Sequence, residues 1–93
     1  MKKYIYLVLG SNGVLLHTRY DRAVFCRDHY LCPPRELYKC ASVEQAQERA
    51  IDHLWLIAPT GVKIPEHLEL DKLYYAWGLP CDYCEWRDCY DVH

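Results

Sequence analysis

The last thirteen residues hold three cysteines and a histidine in the spacing Cys81-x2-Cys84-x4-Cys89-x3-His93. A Cys-x2-Cys turn brings two sulfurs within reach of one ion, and residues four apart on a helix project from one face. The pattern predicts a closed tetrahedral site in which Cys81, Cys84, Cys89 and His93 bind Zn2+, with Zn–S about 2.3 Å and Zn–N about 2.0–2.1 Å. Four protein ligands leave no position for a catalytic water, so the ion is expected to be structural. In a chain of 93 residues such a metal weighs heavily, because a domain of this size has a modest core and metal binding adds directly to folding free energy.

Six cysteines in so short a chain also suit a disulfide framework, with unrelated thiols as a third reading. The amino terminus bears on the choice. Met1-Lys2-Lys3 and the apolar run Tyr4 to Leu9 are followed by Gly10-Ser11-Asn12-Gly13. The run is short, contains two tyrosines and lacks a small-x-small cleavage site, so it reads as a first strand and not as a secretory leader. The expected compartment is therefore the cytoplasm, where clustered cysteines more often hold metal. Cys40, Cys32, His17 and His53 are alternative fourth ligands from the body of the fold. No stretch approaches the ~20 apolar residues of a membrane span.

Charge divides the chain. Through Pro65 nine basic side chains oppose six acidic ones; from Glu66 onward seven acids face only Lys72 and Arg87. A mildly basic body thus carries an acidic, aromatic tail. Nucleic-acid binders usually show a strong basic excess, which a net charge of −2 does not provide.

Local patterns predict an α+β domain. Residues 4–9 and 14–18 form a hairpin around Ser11-Asn12-Gly13, where Asn-Gly is a strong turn signal. Arg19 to Tyr30 is a helix with Ala23, Phe25, Cys26 and Tyr30 on its apolar side, stopped by Cys32-Pro33-Pro34. Glu36 to Ala41 is a third strand. Ser42-Val43-Glu44-Gln45 is a capping box opening a second helix, with Ala46, Ala50, Leu54 and Ile57 as its buried stripe. Pro59-Thr60-Gly61 ends that helix. After the extended piece Val62-Lys63-Ile64, Pro65 is expected to begin a third helix on which Leu70, Leu73, Tyr74 and Trp77 recur at helical spacing, with Gly78 at its end. The order is ββαβα, then a helix and a zinc-bound tail. The chain reads as one domain, 1–93, comprising a core at 1–58, an extra helix at 59–78 and the metal tail at 79–93.

The stretches Tyr6-Leu-Val-Leu-Gly10, Gly13-Val-Leu-Leu-His-Thr18, Tyr38-Lys39-Cys40 and Ser42-Val-Glu-Gln-Ala46 stand in the order of a known motif. On these, residues 4–55 resemble the viroplasmin-type domain, the hybrid-binding domain found at the N-terminus of eukaryotic ribonuclease H. The resemblance implies a small three-stranded sheet with two helices and binding to an RNA–DNA duplex. In the family a Trp after the second strand, a Phe near the third and adjacent lysines grip that duplex. This chain has Thr18, Arg19 and Tyr20 where the Trp belongs and Cys40 where the motif's second aromatic belongs. The resemblance thus implies Arg19, Tyr20, Tyr38 and Lys39 as the nucleic-acid face.

The tail resembles retroviral-type zinc knuckles, which run Cys-x2-Cys-x4-His-x4-Cys and stack bases on aromatics between the ligands. Here the last two ligand types are exchanged and the final spacing is shorter. Tyr83 and Trp86 occupy stacking positions. The surrounding Asp82, Glu85, Asp88 and Asp91, however, repel phosphate.

No Gly-rich phosphate loop, Gly-x-Ser-x-Gly elbow or His-Glu-x-x-His occurs. Cys26-x2-His29 is the nearest approach to a thiol–imidazole pair, and a partly buried thiol beside a surface histidine is its simpler description. The expectation is a non-enzymatic, zinc-stabilised module. Its Asp82, Tyr83, Glu85, Trp86, Asp88 and Tyr90 dock on a basic patch of a protein partner, the aromatics anchoring and the acids steering. In size and charge it resembles small acidic inhibitors of nucleic-acid machines such as phage anti-CRISPR proteins. The alternative is nucleic-acid binding through the viroplasmin-like face.

Overall fold

Strands β1 (Ile5–Gly10) and β2 (Gly13–His17) form because two continuous apolar runs that include β-branched Ile5, Val8 and Val14 flank a two-residue turn, Ser11-Asn12. The structure, a computed structural model, describes residues 4–76 and the backbone of 80–81. The turn differs from the expected Asn-Gly type, since neither Ser11 nor Asn12 has a positive φ. Asn12 serves instead as a side-chain clamp. Its Oδ1 accepts from Cys32 N at 2.8 Å and its Nδ2 donates to Tyr30 O at 3.2 Å. Ser11 N donates to Cys32 O at 2.9 Å, and Asn12 O accepts from Ala76 N at 2.8 Å. One turn thereby fastens two segments distant in sequence.

Helix α1 (Tyr20–His29) and strand β3 (Glu36–Cys40) follow, the latter antiparallel to β1. Helix α2 (Val43–Ile57) begins where expected: Ser42 is extended and its Oγ accepts from Gln45 N at 3.1 Å. Ser42→Ala should lower stability by about 1 kcal/mol, read as a lower urea midpoint at unchanged slope. Ala46, Ala50 and Leu54 are buried and Ile57 is half-buried, and Pro59 follows the C-cap residue Ala58.

The expected third helix is absent. Residues 62–71 have no regular structure, and Lys72–Tyr75 is β4, antiparallel to β2 with Leu15 opposite Leu73 and Val14 opposite Tyr74. Leu70, Leu73 and Tyr74 do not share a helical stripe. Leu73 packs among the residues under α1, whereas Tyr74 and Leu70 pack with those under α2. A strand buried on both faces is apolar at consecutive positions, so its sequence imitates a short helical repeat. Two hydrogen bonds bracket β4: Asp71 N to Leu16 O at 2.6 Å and Ala76 N to Asn12 O at 2.8 Å. Asp71 adopts a left-handed φ of 65° at this entry, a conformation that aspartate tolerates better than most residues. Trp77 and Gly78 lie outside the described residues.

Among the described residues the antiparallel sheet runs β3-β1-β2-β4, four strands instead of three, and is extended by the two-residue β5 (Pro80–Cys81) on β4. The helices cover opposite faces. Leu7, Leu9, Val14, Leu16 and Tyr74 meet Ala46, Ala50 and Leu54 of α2; Val8, Leu15 and Leu73 meet Ala23 and Cys26 of α1. No described helix is long and apolar enough to cross a membrane.

Candidate functional site

The proposed metal ligands fall largely outside the described residues. Cys81 alone is reached, through its backbone in β5, opposite Leu73; Cys84, Cys89 and His93 lie beyond. So do Asp82, Tyr83, Glu85, Trp86, Asp88 and Tyr90. Among the described residues no cluster of three or more His, Cys, Asp or Glu side chains could hold a metal.

Three of the four alternative fourth ligands have other engagements. Cys40 is buried beneath α2, and the Nε2 of His53 is 2.7 Å from Gly10 O. Buried His17 has Nδ1 within 3.0 Å of both Arg19 N and Asp71 Oδ1. A neutral Nδ1 accepts from the backbone N–H, and a protonated one donates to the carboxylate. Asp71 Oδ1 also accepts from Thr18 N and Thr18 Oγ1, at 3.1 and 3.3 Å, so it has donors in either case. Cys32 is exposed in the loop before β3. Cys26 is buried against the sheet, while the exposed His29 stacks on Phe25 with ring centroids 4.2 Å apart. Cys26 and His29 are therefore split between core and surface.

The four residues of the viroplasmin-like face divide between the two sides of the sheet, because neighbours on a strand point oppositely. Lys39 stands opposite Tyr6 and lies over Tyr4, its Nζ 4.6 Å from the ring centroid. Tyr20 packs edge-on against Tyr6 at 5.4 Å. Tyr38 instead faces α2, with the Arg49 guanidinium 4.2 Å above its ring. Its phenol is held above the usual range, first by the hydrogen bond to Glu36. Exposed Arg19, the N-cap residue of α1, directs Nη2 to Asp21 at 3.2 Å. Tyr4, Tyr6, Tyr20 and Lys39 thus gather on one side and Tyr38 with Arg49 on the other.

A further surface escaped the sequence reading. Trp55 and Leu56 are 66 % and 81 % exposed at the end of α2. Beside them Trp55, Ala58, Pro59, Thr60, Gly61, Val62 and Ile64 line an open cleft of about 300 Å³. Gly61, at φ 93°, turns its floor, with Val62 N donating to Pro59 O at 3.2 Å. The available signal was that both residues fall off the stripe of Ala46, Ala50 and Leu54, which leaves large apolar groups on the outward arc.

No protein-family model matches the chain, and no curated protein or solved structure matches it.

Proposed function

We propose that this chain is a non-enzymatic interaction module that binds a protein partner through its acidic, aromatic C-terminal segment, held by a structural zinc ion. The charge division carries this reading: after Pro65 seven acids face two basic residues, and four of those acids, Asp82, Glu85, Asp88 and Asp91, alternate with Tyr83, Trp86 and Tyr90 against Arg87 alone. Aromatics in acidic surroundings suit anchoring in a basic patch, with the acids accelerating encounter. Cys81 begins this segment from the sheet edge, where its backbone pairs with Leu73. Of the body's alternative ligands, Cys40 is sealed in the core and His17 and His53 are hydrogen-bonded, which leaves exposed Cys32 as the competitor of His93 for the fourth position. Inhibition of a nucleic-acid-processing machine is the form of activity that this size and charge best suit.

Two experiments test the proposal. Protein produced without an affinity tag should contain about one zinc per chain, and Cys84→Ser should release it and lower the melting temperature. An unchanged metal content and melting curve would sink the zinc assignment. Reversing charge at Asp82, Glu85 and Asp88 should weaken partner binding by about tenfold or more with the circular dichroism spectrum retained. Survival of binding would remove the tail as the docking surface.

A further inference from the structure

Helix α2 is locally uneconomical on its outward side. Glu44, Glu48 and Asp52 follow one another at four-residue intervals and are all exposed. Like charges at that spacing repel by roughly 0.2–0.5 kcal/mol per pair. A helix C-terminus favours cations, yet the last turn has no basic residue and instead exposes Trp55 and Leu56. On a 3.6-residue helix Glu44, Trp55, Glu48, Asp52 and Leu56 fall within one arc of about 120°. Arg49, at the edge of that arc, places its guanidinium over Tyr38 on the β3 side. An acidic stripe therefore leads directly to an apolar tip beside an open cleft. Glu44, in the first turn, is favoured there by the helix dipole, but the Glu48–Asp52 repulsion and the exposed Trp55 and Leu56 each cost something in the isolated chain, and together they have a coherent use.

We propose that the outward face of α2, Glu48, Asp52, Trp55 and Leu56 with the adjoining 58–64 cleft, docks a basic amphipathic segment of another protein. An apolar side chain of the partner would enter the cleft against Trp55, while lysines or arginines lie along Glu48 and Asp52. Charge selects this occupant. The chain's own segment beyond Glu66 is acidic and would meet Glu48 and Asp52 with like charge, as would the same segment of a second copy; the mildly basic body of a second copy is the competing occupant, which the oligomeric state decides. This face is distinct from the C-terminal segment, so the two can fail separately.

The test uses the full chain and a synthetic helical probe with leucine and tryptophan along one side and lysines on the other, beside a matched peptide carrying glutamine for lysine. Titration followed by amide chemical shifts should perturb residues 48–64. The neutral peptide should bind about tenfold more weakly or worse, and Leu56→Ser and the Glu48→Lys/Asp52→Lys pair should each weaken the lysine probe to a similar degree. Charge reversal at Asp82, Glu85 and Asp88 should leave probe binding unchanged. Failure of the probe to bind, equal binding of the neutral peptide, shifts confined to residues after Cys81, or indifference to Leu56→Ser would each overturn the assignment. A concentration-dependent dimer that Leu56→Ser abolishes would overturn it in favour of a second copy. Both altered sites are exposed, so circular dichroism should confirm that the variants keep their fold.

Discussion

Replacing Gln47 with leucine should destabilise the fold by about 2–6 kcal/mol, although it exchanges a polar core residue for an apolar one. The Gln47 side chain is buried on α2, where its Oε1 accepts from Leu68 N at 2.8 Å and its Nε2 donates to Leu68 O. Leu68 is itself fully buried, in a segment that belongs to neither helix nor strand. Gln47 thus satisfies both main-chain groups of Leu68, much as a neighbouring strand would. Leucine has the bulk to fill the space and nothing to offer either group, and each orphaned buried group costs roughly 1–3 kcal/mol. The variant should show a lower denaturation midpoint and faster amide exchange at Leu68. A midpoint within experimental error of the parent would mean that water takes over the hydrogen bonds.

The second large effect is expected at Gly13. A Cβ built there lies 2.5 Å from Tyr74 O and 3.2 Å from Tyr75 Cα. The obstructing atoms are main chain, so no rotamer change relieves them. Gly13→Val should push β4 from β2 at its far end and cost about 3 kcal/mol, with exchange protection lost first at Tyr74, Tyr75 and Ala76. If those amides stay protected while the hairpin weakens, the strain has been taken up by the Ser11-Asn12 turn instead.

Much of the fold could be read in advance where local chemistry decides it. The Ser42 cap, the end of α2 before Pro59 and the burial of Ala46, Ala50 and Leu54 are decided within a few residues and stand as expected. Ile57, however, is only half-buried, and α1 ends at His29, one residue short of Tyr30. The failures arise where distant contacts decide. Leu73-Tyr74-Tyr75 carries no alternation because both faces of β4 are covered, and its pairing with β2 across nearly sixty residues has no local signature. Asn12-Gly13 signals a turn through its backbone preference, whereas what Asn12 does in the fold is bind, through its side chain, a loop about twenty residues away. The division of Tyr38 from Lys39 needed only the period of a strand, which a motif-by-motif comparison overlooks. For the candidate sites, the Cys81-x2-Cys84-x4-Cys89-x3-His93 spacing is plain in the sequence, and Trp55 and Leu56 stand off the stripe that the sequence predicts to be buried, whereas the cleft that residues 58–64 form beside them has no local signature.

Strand β4 also bears on how the protein is made. Every residue of β2 from Gly13 to His17 is buried, and one of its two edges is closed only by Lys72–Tyr75. A nascent chain that has already formed the hairpin and both helices still presents that edge, bordered by Val14, Leu15 and Leu16, to any other extended chain nearby. The interval before residues 72–75 emerge is thus the period of greatest risk of self-association during synthesis. Fragments ending near Pro59 should aggregate more readily than the full chain.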